Sequence, residues 1–128
     1  MDIHADAMLF FGFPVGGERE PPEWLPPSDD EDPFEEFLHS IYGEDGYEAY
    51  RERVKTCPAD MVVYCSHHYP LYLLGVRGTQ VVAERGDAVA ISTPDVPAEK
   101  IAAFRTWCAE QGIKWQEPQW HMACILSL

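Results

Sequence analysis

The sequence is poor in basic residues. Nine lysines and arginines stand against 22 aspartates and glutamates, which gives a net charge of −13. Binding to the phosphates of a nucleic acid requires a basic footprint, so we expect no direct nucleic-acid binding. A protein partner with a basic surface fits this charge better, although solubility alone also explains it.

Long apolar runs and export signals are absent as well. No run approaches the ~18 consecutive apolar residues that a membrane span needs, so we expect no membrane partner. The N-terminal stretch MDIHADAMLFFGF has no basic region and is not typical of a signal peptide. Cys57, Cys65, Cys108 and Cys124 lack disulfide-scaffold spacing, and we expect most of them to be core thiols. These features predict a cytoplasmic protein.

The usual cofactor motifs are also missing. Gly16 and Gly17 are followed by acids that would repel phosphate, and no dinucleotide fingerprint is present. No CxxC, HxH or HExxH sequence occurs, and the acids at 29–36 do not have the spacing of an EF-hand loop. We therefore expect no cofactor and no metal, and a non-enzymatic role is favoured.

What the chain does have is one strongly acidic segment. Glu18–Glu48 carries twelve acids and one base, whereas the rest carries ten acids and eight bases. Its proline-rich first part, Glu18–Asp32, is an extended loop that is either mobile or pinned by Trp24 and Leu25. A charged rim beside an aromatic anchor is typical of a binding patch, and a merely solvated face is the alternative. The candidate partner-binding residues are Trp24, Asp29, Asp30, Glu31, Asp32, Glu35 and Glu36.

The most apolar stretch, Met61–Val76, also holds the densest cluster of reactive side chains. We predict strands at Met61–Cys65 and Leu71–Val76, joined by a polar connection that ends at Pro70. The residues of a candidate ligand or metal site are Cys65, His67, His68 and Tyr69. Three interpretations are open: a zinc site, a cysteine or serine nucleophile with a histidine base, or a polar turn beside a core thiol. Neighbours on a strand point to opposite faces, which disfavours one ion shared by both histidines.

Local patterns predict the remaining elements. Asp32 and Pro33 begin a helix that ends at Gly43, and Phe34, Phe37 and Leu38 form its apolar stripe. Gly12 in the first strand allows another backbone or a large side chain to come close. The other expected elements are strand Met8–Val15, helix Asp45–Thr56, an Arg77-Gly78 hairpin turn into Thr79–Glu84, strand Ala88–Ile91, a helix from Asp95 and Pro97 to Gly112, and strand Trp120–Leu126.

This order of elements favours an α+β fold. We predict one mostly antiparallel sheet covered by two to three helices, with a ferredoxin-like arrangement as the leading topology. Trp120–Leu126 is apolar at alternate and intervening positions, so we expect it to be central, and we expect Phe34, Phe37, Leu38 and Phe104 to pack on the sheet. Residues 1–128 are interpreted as a single domain with an acidic, proline-rich loop and helical insertion at about 16–57.

A Cys-Ser-x-x-Tyr-Pro-x-Tyr motif runs from Cys65 to Tyr72. It is accompanied by an early aromatic strand ending in glycine (Met8–Gly12), a later Arg-Gly turn (Arg85 and Gly86), a final helix (Lys100–Gly112) and a strand with Trp120. In this combination the chain resembles a family of small uncharacterised proteins encoded by bacteriophages and prophages. The resemblance covers most of the chain outside Glu18–Cys57.

The resemblance implies a phage-type accessory protein in the cytoplasm of a bacterial host. Relatives often have an acid where His68 stands, which weakens a metal or catalytic role for that residue. Small acidic phage proteins often occupy the nucleic-acid-binding surfaces of host proteins, as nucleic-acid mimics do. The leading hypothesis is a non-enzymatic protein that binds a basic host surface, for instance an inhibitor of a defence system such as CRISPR–Cas. The alternatives are a small-molecule or nucleotide-signal binder using the Cys65–Tyr72 turn, and a small thiol- or metal-dependent hydrolase. The oligomeric state is left open.

Overall fold

The computed structural model describes residues 4–26, 32–66, 68–84, 86–91 and 95–127. These residues form an α+β fold with one mostly antiparallel sheet, as predicted. In chain order the elements are β1 (His4–Gly17), α1 (Pro33–Tyr42), α2 (Tyr47–Val54), β2 (Ala59–Ser66), β3 (Pro70–Val76), β4 (Val81–Ala83), α3 (Ala98–Glu110) and β5 (Gln119–Ser127). None of the helices in these ranges has the length and apolar content needed to cross a membrane.

The sheet closes on itself through its longest strand. The strand order is β3-β2-β5-β1-β4, and β1 makes a further antiparallel pairing with β3. The first part of β1 pairs with β5 and its last part pairs with β3. At the far side β2 pairs with β3 along its length and meets β5 in a short parallel contact at Cys65 and Ser66. β1, β3, β2 and β5 therefore form a ring.

Two glycines permit the close crossing of β1 and β3. Gly12 and Gly75 are register partners. A Cβ atom added at Gly12 would overlap the carbonyl oxygen of Leu74, and one added at Gly75 would overlap that of Phe11. The expectation that Gly12 lets another backbone come close is therefore confirmed.

The antiparallel pairings β5–β1, β1–β3 and β3–β2 follow the ferredoxin-like order, and the short parallel contact between β2 and β5 adds the closure of the ring. Two other features of the sheet differ from expectation. Arg77 and Gly78 do not make a hairpin, because β4 pairs with β1 and follows β3 along that strand. Residues 88–91 are exposed and are not a strand.

The helices follow their local signals more closely. The Asp32 carboxylate accepts a hydrogen bond from the Glu35 backbone N–H at 3.1 Å, which satisfies a free donor at the start of α1. Gly43 ends that helix, and its N–H donates to the carbonyl of His39 at 2.8 Å. In α3 Phe104, which was predicted to pack on the sheet, is buried, and so are Trp107 and Cys108.

The main core lies between the helices and one face of the sheet. It contains the predicted aromatic residues of α1 and α3, and the Trp107 indole donates a hydrogen bond to the Tyr42 hydroxyl at 3.0 Å. Its buried members include Phe13, Leu25, Phe34, Phe37, Met61, Tyr72, Leu74, Val76, Phe104 and Trp107, with Leu38 packed against them. A smaller cluster on the face enclosed by the ring contains Met8, Phe10, Val62 and Leu73.

Replacing Phe104 by alanine should destabilise this core strongly. The ring is fully buried and lies 5.7 Å from the Phe13 ring and 5.5 Å from the Trp115 ring, measured between centroids. We expect the free energy of unfolding in denaturant to fall by about 3–5 kcal/mol. Thr106→Ala, an exposed change on the same helix, is the control and should cost under about 1 kcal/mol. Equal effects of the two substitutions would contradict the assigned core.

Candidate functional site

The acidic segment begins in a loop that is fixed to the body of the protein. The Trp24 ring packs edge-on against Phe37 with 5.0 Å between centroids, and Leu25 is buried. Backbone bonds hold the start of the loop, since the Glu18 N–H donates to the Pro70 carbonyl at 3.0 Å. Of the two alternatives for this loop, residues 18–26 adopt the pinned one.

The next acids lie on α1 and α2, and these helices are joined by a ring stack. The His39 imidazole lies on the Tyr50 ring with 3.7 Å between centroids. Burial, together with the negative charges of Glu35 and Asp32, raises the pKa of Tyr50. The field of the α1 acids therefore reaches the junction between the two helices.

Together the loop, the two helices, the cap of α1 and the turn between the helices carry nine of the segment's twelve acids, and we call these nine the acidic surface. They are Glu18, Glu20, Glu23, Asp32, Glu35, Glu36, Glu44, Asp45 and Glu48. All are exposed except Glu36, which is half-buried. Within the described residues only two of them lie within ion-pair distance of a basic side chain: Glu35 is 3.9 Å from His39, a pair that is ionic only with a protonated imidazole, and Asp45 pairs with Arg53. Most of this negative charge is therefore available to a partner.

The structure brings together four of the seven predicted partner-binding residues. Trp24, Asp32, Glu35 and Glu36 lie on the loop and the first turn of α1. Asp32 also caps that helix, so its substitution would change stability as well as charge. The other three, Asp29, Asp30 and Glu31, lie outside the described residues.

The predicted ligand site at the end of β2 is a surface turn. The Tyr69 N–H donates to the Ser66 hydroxyl at 3.0 Å, and the Arg19 guanidinium lies 4.5 Å from the centroid of the Tyr69 ring. Cys65 is half-buried, and its φ of 78° lies in the left-handed region that favours glycine. His68 is exposed, and His67 lies outside the described residues.

The geometry of this turn fits a polar connection between two strands better than it fits a reactive centre. Across the described ranges, no three histidine, cysteine, aspartate or glutamate side chains are grouped closely enough to hold a metal ion. The binding and hydrolase hypotheses for residues 65–72 stay predictions. The strained backbone of Cys65 coincides with the point where β2 pairs with both β3 and β5, so sheet closure accounts for it.

Two of the other thiols are core residues. Burial raises the pKa of Cys57, and burial followed by the influence of Cys57 raises the pKa of Cys108 to about 12. Because the thiolate is the reactive form of cysteine, both side chains are poor nucleophiles. Cys65 is half-buried and Cys124 is exposed on β5, so two of the four cysteines are core thiols and not most of them, as was expected.

A cleft of ≈ 340 Å³ lies elsewhere, between α3 and the end of β3. Its walls include Thr79, Val81, Ile91, Lys100 and Trp120, and none of the described residues of the Cys65–Tyr72 turn lines it. The sequence patterns did not indicate this cleft, because it depends on how residues distant in the chain come together.

Comparison of the chain with protein-family models, curated proteins and solved structures found no match. The functional argument therefore depends on the geometry and charge of the surfaces described above.

The cysteines should differ sharply in their reactivity toward a thiol reagent. In dilute native protein at neutral pH we expect Cys124 to react first, and Cys57 and Cys108 to stay protected until the protein unfolds. Mass mapping of the labelled peptides measures the order. The Cys124→Ser variant is the control and should lose the fastest phase. Rapid native labelling of Cys108 would contradict its buried position.

The shifted pKa of Cys108 also predicts a loss of stability in alkaline solution. Its ordinary value is 9.0 and its folded value is about 12, so the unfolded chain releases this proton first as the pH rises. The contribution of the protonated Cys108 thiol to the free energy of unfolding is fully present below about pH 9 and is lost progressively toward about pH 12.

Unfolding in denaturant at several pH values checks this, with Cys108→Ala as the comparison because other groups titrate in both proteins. The variant should be less stable at neutral pH, where it leaves a small cavity, but its stability should fall less steeply over the alkaline window. If the free energy of unfolding of the two proteins falls with pH at the same slope, the Cys108 thiol does not contribute to the alkaline loss of stability.

Proposed function

We propose that this protein is a non-enzymatic accessory protein of a bacteriophage or prophage, and that its acidic surface binds a basic surface of a host protein. The observation that carries this proposal is the attachment of nine described acids to one framework. The Trp24–Phe37 contact and the His39–Tyr50 stack hold the loop, α1 and α2 together. Because the framework is fixed, a partner does not have to order these elements when it binds.

The charge of this surface supports the choice of partner. Seven of its nine acids form no ion pair with another described residue, so a basic partner gains contacts without breaking existing ones. Opposite charges also steer association and raise its rate, most strongly at low salt. A nucleic-acid-binding surface is a basic surface of this kind, since it is built to meet the phosphate backbone.

This argument, together with the Cys65–Tyr72 motif, supports a more specific form of the proposal. The host protein is a component of a defence system that acts on nucleic acid, such as CRISPR–Cas. The acidic surface then occupies the groove that would otherwise bind the nucleic acid. Inhibition follows from occupancy alone and requires no catalytic residue.

Reversing the charge of the acidic surface should abolish binding to the host protein. The variant replaces Glu23, Glu36, Glu44 and Glu48 with lysine and leaves the helix cap at Asp32 intact. The matched control replaces four acids outside the segment, Glu84, Glu99, Glu110 and Glu117, with the same change in net charge. Thermal melting must show that both variants are folded.

Capture from a bacterial lysate, followed by mass spectrometry, should identify one host protein with the wild type and the control but not with the reversed variant. Its recovery should decrease between about 50 mM and about 500 mM salt, because salt screens exposed charges. In an infection assay, the wild type and the control should protect a phage from CRISPR–Cas immunity, and the reversed variant should not. Equal binding by all three proteins would refute the proposed surface, and binding without protection would refute only the defence target.

A further inference from the structure

Two free cysteines lie on neighbouring strands at the point where the ring of strands closes. In the described part of the chain β2 meets β5 only in a short parallel contact, where Cys65 is paired with Ile125. Cys124 precedes Ile125 on β5, so it lies one position along the strand from the partner of Cys65. The register therefore brings two thiols together from distant parts of the sequence, and both are free in the structure.

The spacing of the two Cα atoms suits a disulfide bond. Neighbouring strands lie about 4.8 Å apart and a strand rises about 3.3 Å per residue, so a diagonal pair of this kind is separated by roughly 6 Å. Disulfide bonds join residues whose Cα atoms are about 4.4–6.8 Å apart. The two sulfur atoms can therefore meet by rotation of the side chains, without a large movement of the backbone.

Cys124 is exposed on the outer face of the sheet, which is the face that points away from the small apolar cluster inside the ring. On β5, Ala123 and Ile125 pack against that cluster, and neighbours on a strand point to opposite faces. Cys124 therefore points outward, as does Met122 in the same row, which is 77% exposed. A small oxidant in solution reaches this thiol directly.

Cys65 belongs to the same outer face. Tyr64, the residue before it, packs against the small cluster, whereas Pro70 alternates along β3 with Tyr72 of the main core. Cys65 lies opposite Pro70, and directly opposed residues of an antiparallel pair share a face, so Cys65 points outward. Its left-handed φ of 78° breaks the regular alternation toward β5, so an outward Cys65 lies level with an inward Ile125.

We propose that Cys65 and Cys124 form a reversible disulfide bond when the protein meets an oxidant such as hydrogen peroxide, and that this bond locks β2 to β5. The other two cysteines do not compete for the oxidant, because Cys57 and Cys108 are buried. In reducing compartments such bonds are transient and are typical of redox sensing. This inference does not depend on the proposed host partner.

The bond forms in two steps. The Cys124 thiolate attacks one oxygen of hydrogen peroxide, the O–O bond breaks, and the sulfur becomes a sulfenic acid while the departing hydroxide is protonated to water. The Cys65 thiolate then attacks that sulfur, so that the S–S bond forms, the S–O bond breaks and a second hydroxide is protonated to water. Together the two thiols lose two electrons and two protons, and one peroxide is reduced to two water molecules. An excess of a small thiol reverses the bond by exchange.

The bond crosses the least extensive connection of the ring. Nine register pairs join β1 to β5 and seven join β2 to β3, whereas the described contact between β2 and β5 comprises two. A link there also joins positions about 60 residues apart, and a cross-link that closes a long loop restricts the unfolded chain strongly. The oxidised protein should therefore resist unfolding better than the reduced protein.

Mass mapping after mild oxidation tests whether the bond forms. Dilute wild-type protein is treated with an equimolar amount of hydrogen peroxide, the remaining thiols are blocked in denaturant, and the chain is cut with trypsin without reduction. We expect the peptide 56–77 to be linked to the peptide 115–128, and the number of free thiols to fall from four to two. Treatment with dithiothreitol should restore all four.

Cysteine variants identify the sulfur atoms in the linked peptide. Peptide 56–77 also contains Cys57, so Cys57→Ala should still give the linked peptide, whereas Cys65→Ser and Cys124→Ser should not. Fragmentation of the wild-type linked peptide makes the same assignment without any variant. A covalent dimer through Cys124, a sulfinic acid on Cys124 with Cys65 unreacted, or a link that persists in Cys65→Ser would overturn the proposal.

Thermal melting tests whether the bond locks the ring. We expect oxidation to raise the melting temperature of the wild type by roughly 5 °C or more. Cys124→Ser, treated with peroxide in the same way, should keep its melting temperature, and it also controls for oxidation of the exposed Met122. Equal melting temperatures of the linked and reduced wild type would show that the bond does not lock β2 to β5, and would overturn that part of the proposal.

Discussion

The backbone crossing at Gly12 and Gly75 is the constraint on which the rest of the structure depends. A side chain at either position would overlap a carbonyl oxygen of the other strand. Without that crossing β1 could not pair with β5 in its first half and β3 in its second. The ring of strands, and the small apolar cluster enclosed by it, follow from this single close approach.

The same crossing divides the outer face of the sheet into two regions with different surroundings. Beyond Gly12, Phe13 packs against Phe104 of α3 and belongs to the main core. Before Gly12, Leu9 faces outward between β4 and β5, and its partner Met122 is largely exposed. The acidic surface lies beside the helix-covered region, and the uncharged part of the outer face lies at the other end of β1.

The candidate sites were predictable from sequence to different extents. The gathering of acids and the anchoring role of Trp24 are local properties, since they depend on composition and on one aromatic residue among prolines. The sequence shows that the turn at Cys65 contains reactive residue types. What these residues do depends on their burial and on neighbours from other strands, which the sequence does not show. Cys57 and Cys108 illustrate the limit, because they come from different elements and only their burial in one core raises the pKa of both.

The sequence by itself determined the helices, the close approach permitted at Gly12 and the charge asymmetry. Caps and apolar stripes act between residues three or four positions apart, so the chain contains the necessary information locally. Only the tertiary structure decided that β4 pairs with β1, that β5 joins β1 to β2, and that one row of β5 is open. Both rows of β5 are apolar, which indicates a central strand but does not reveal whether anything covers its outer face. That outcome depends on where α3 packs, and α3 is positioned by contacts with Phe13 and the main core, far away in sequence.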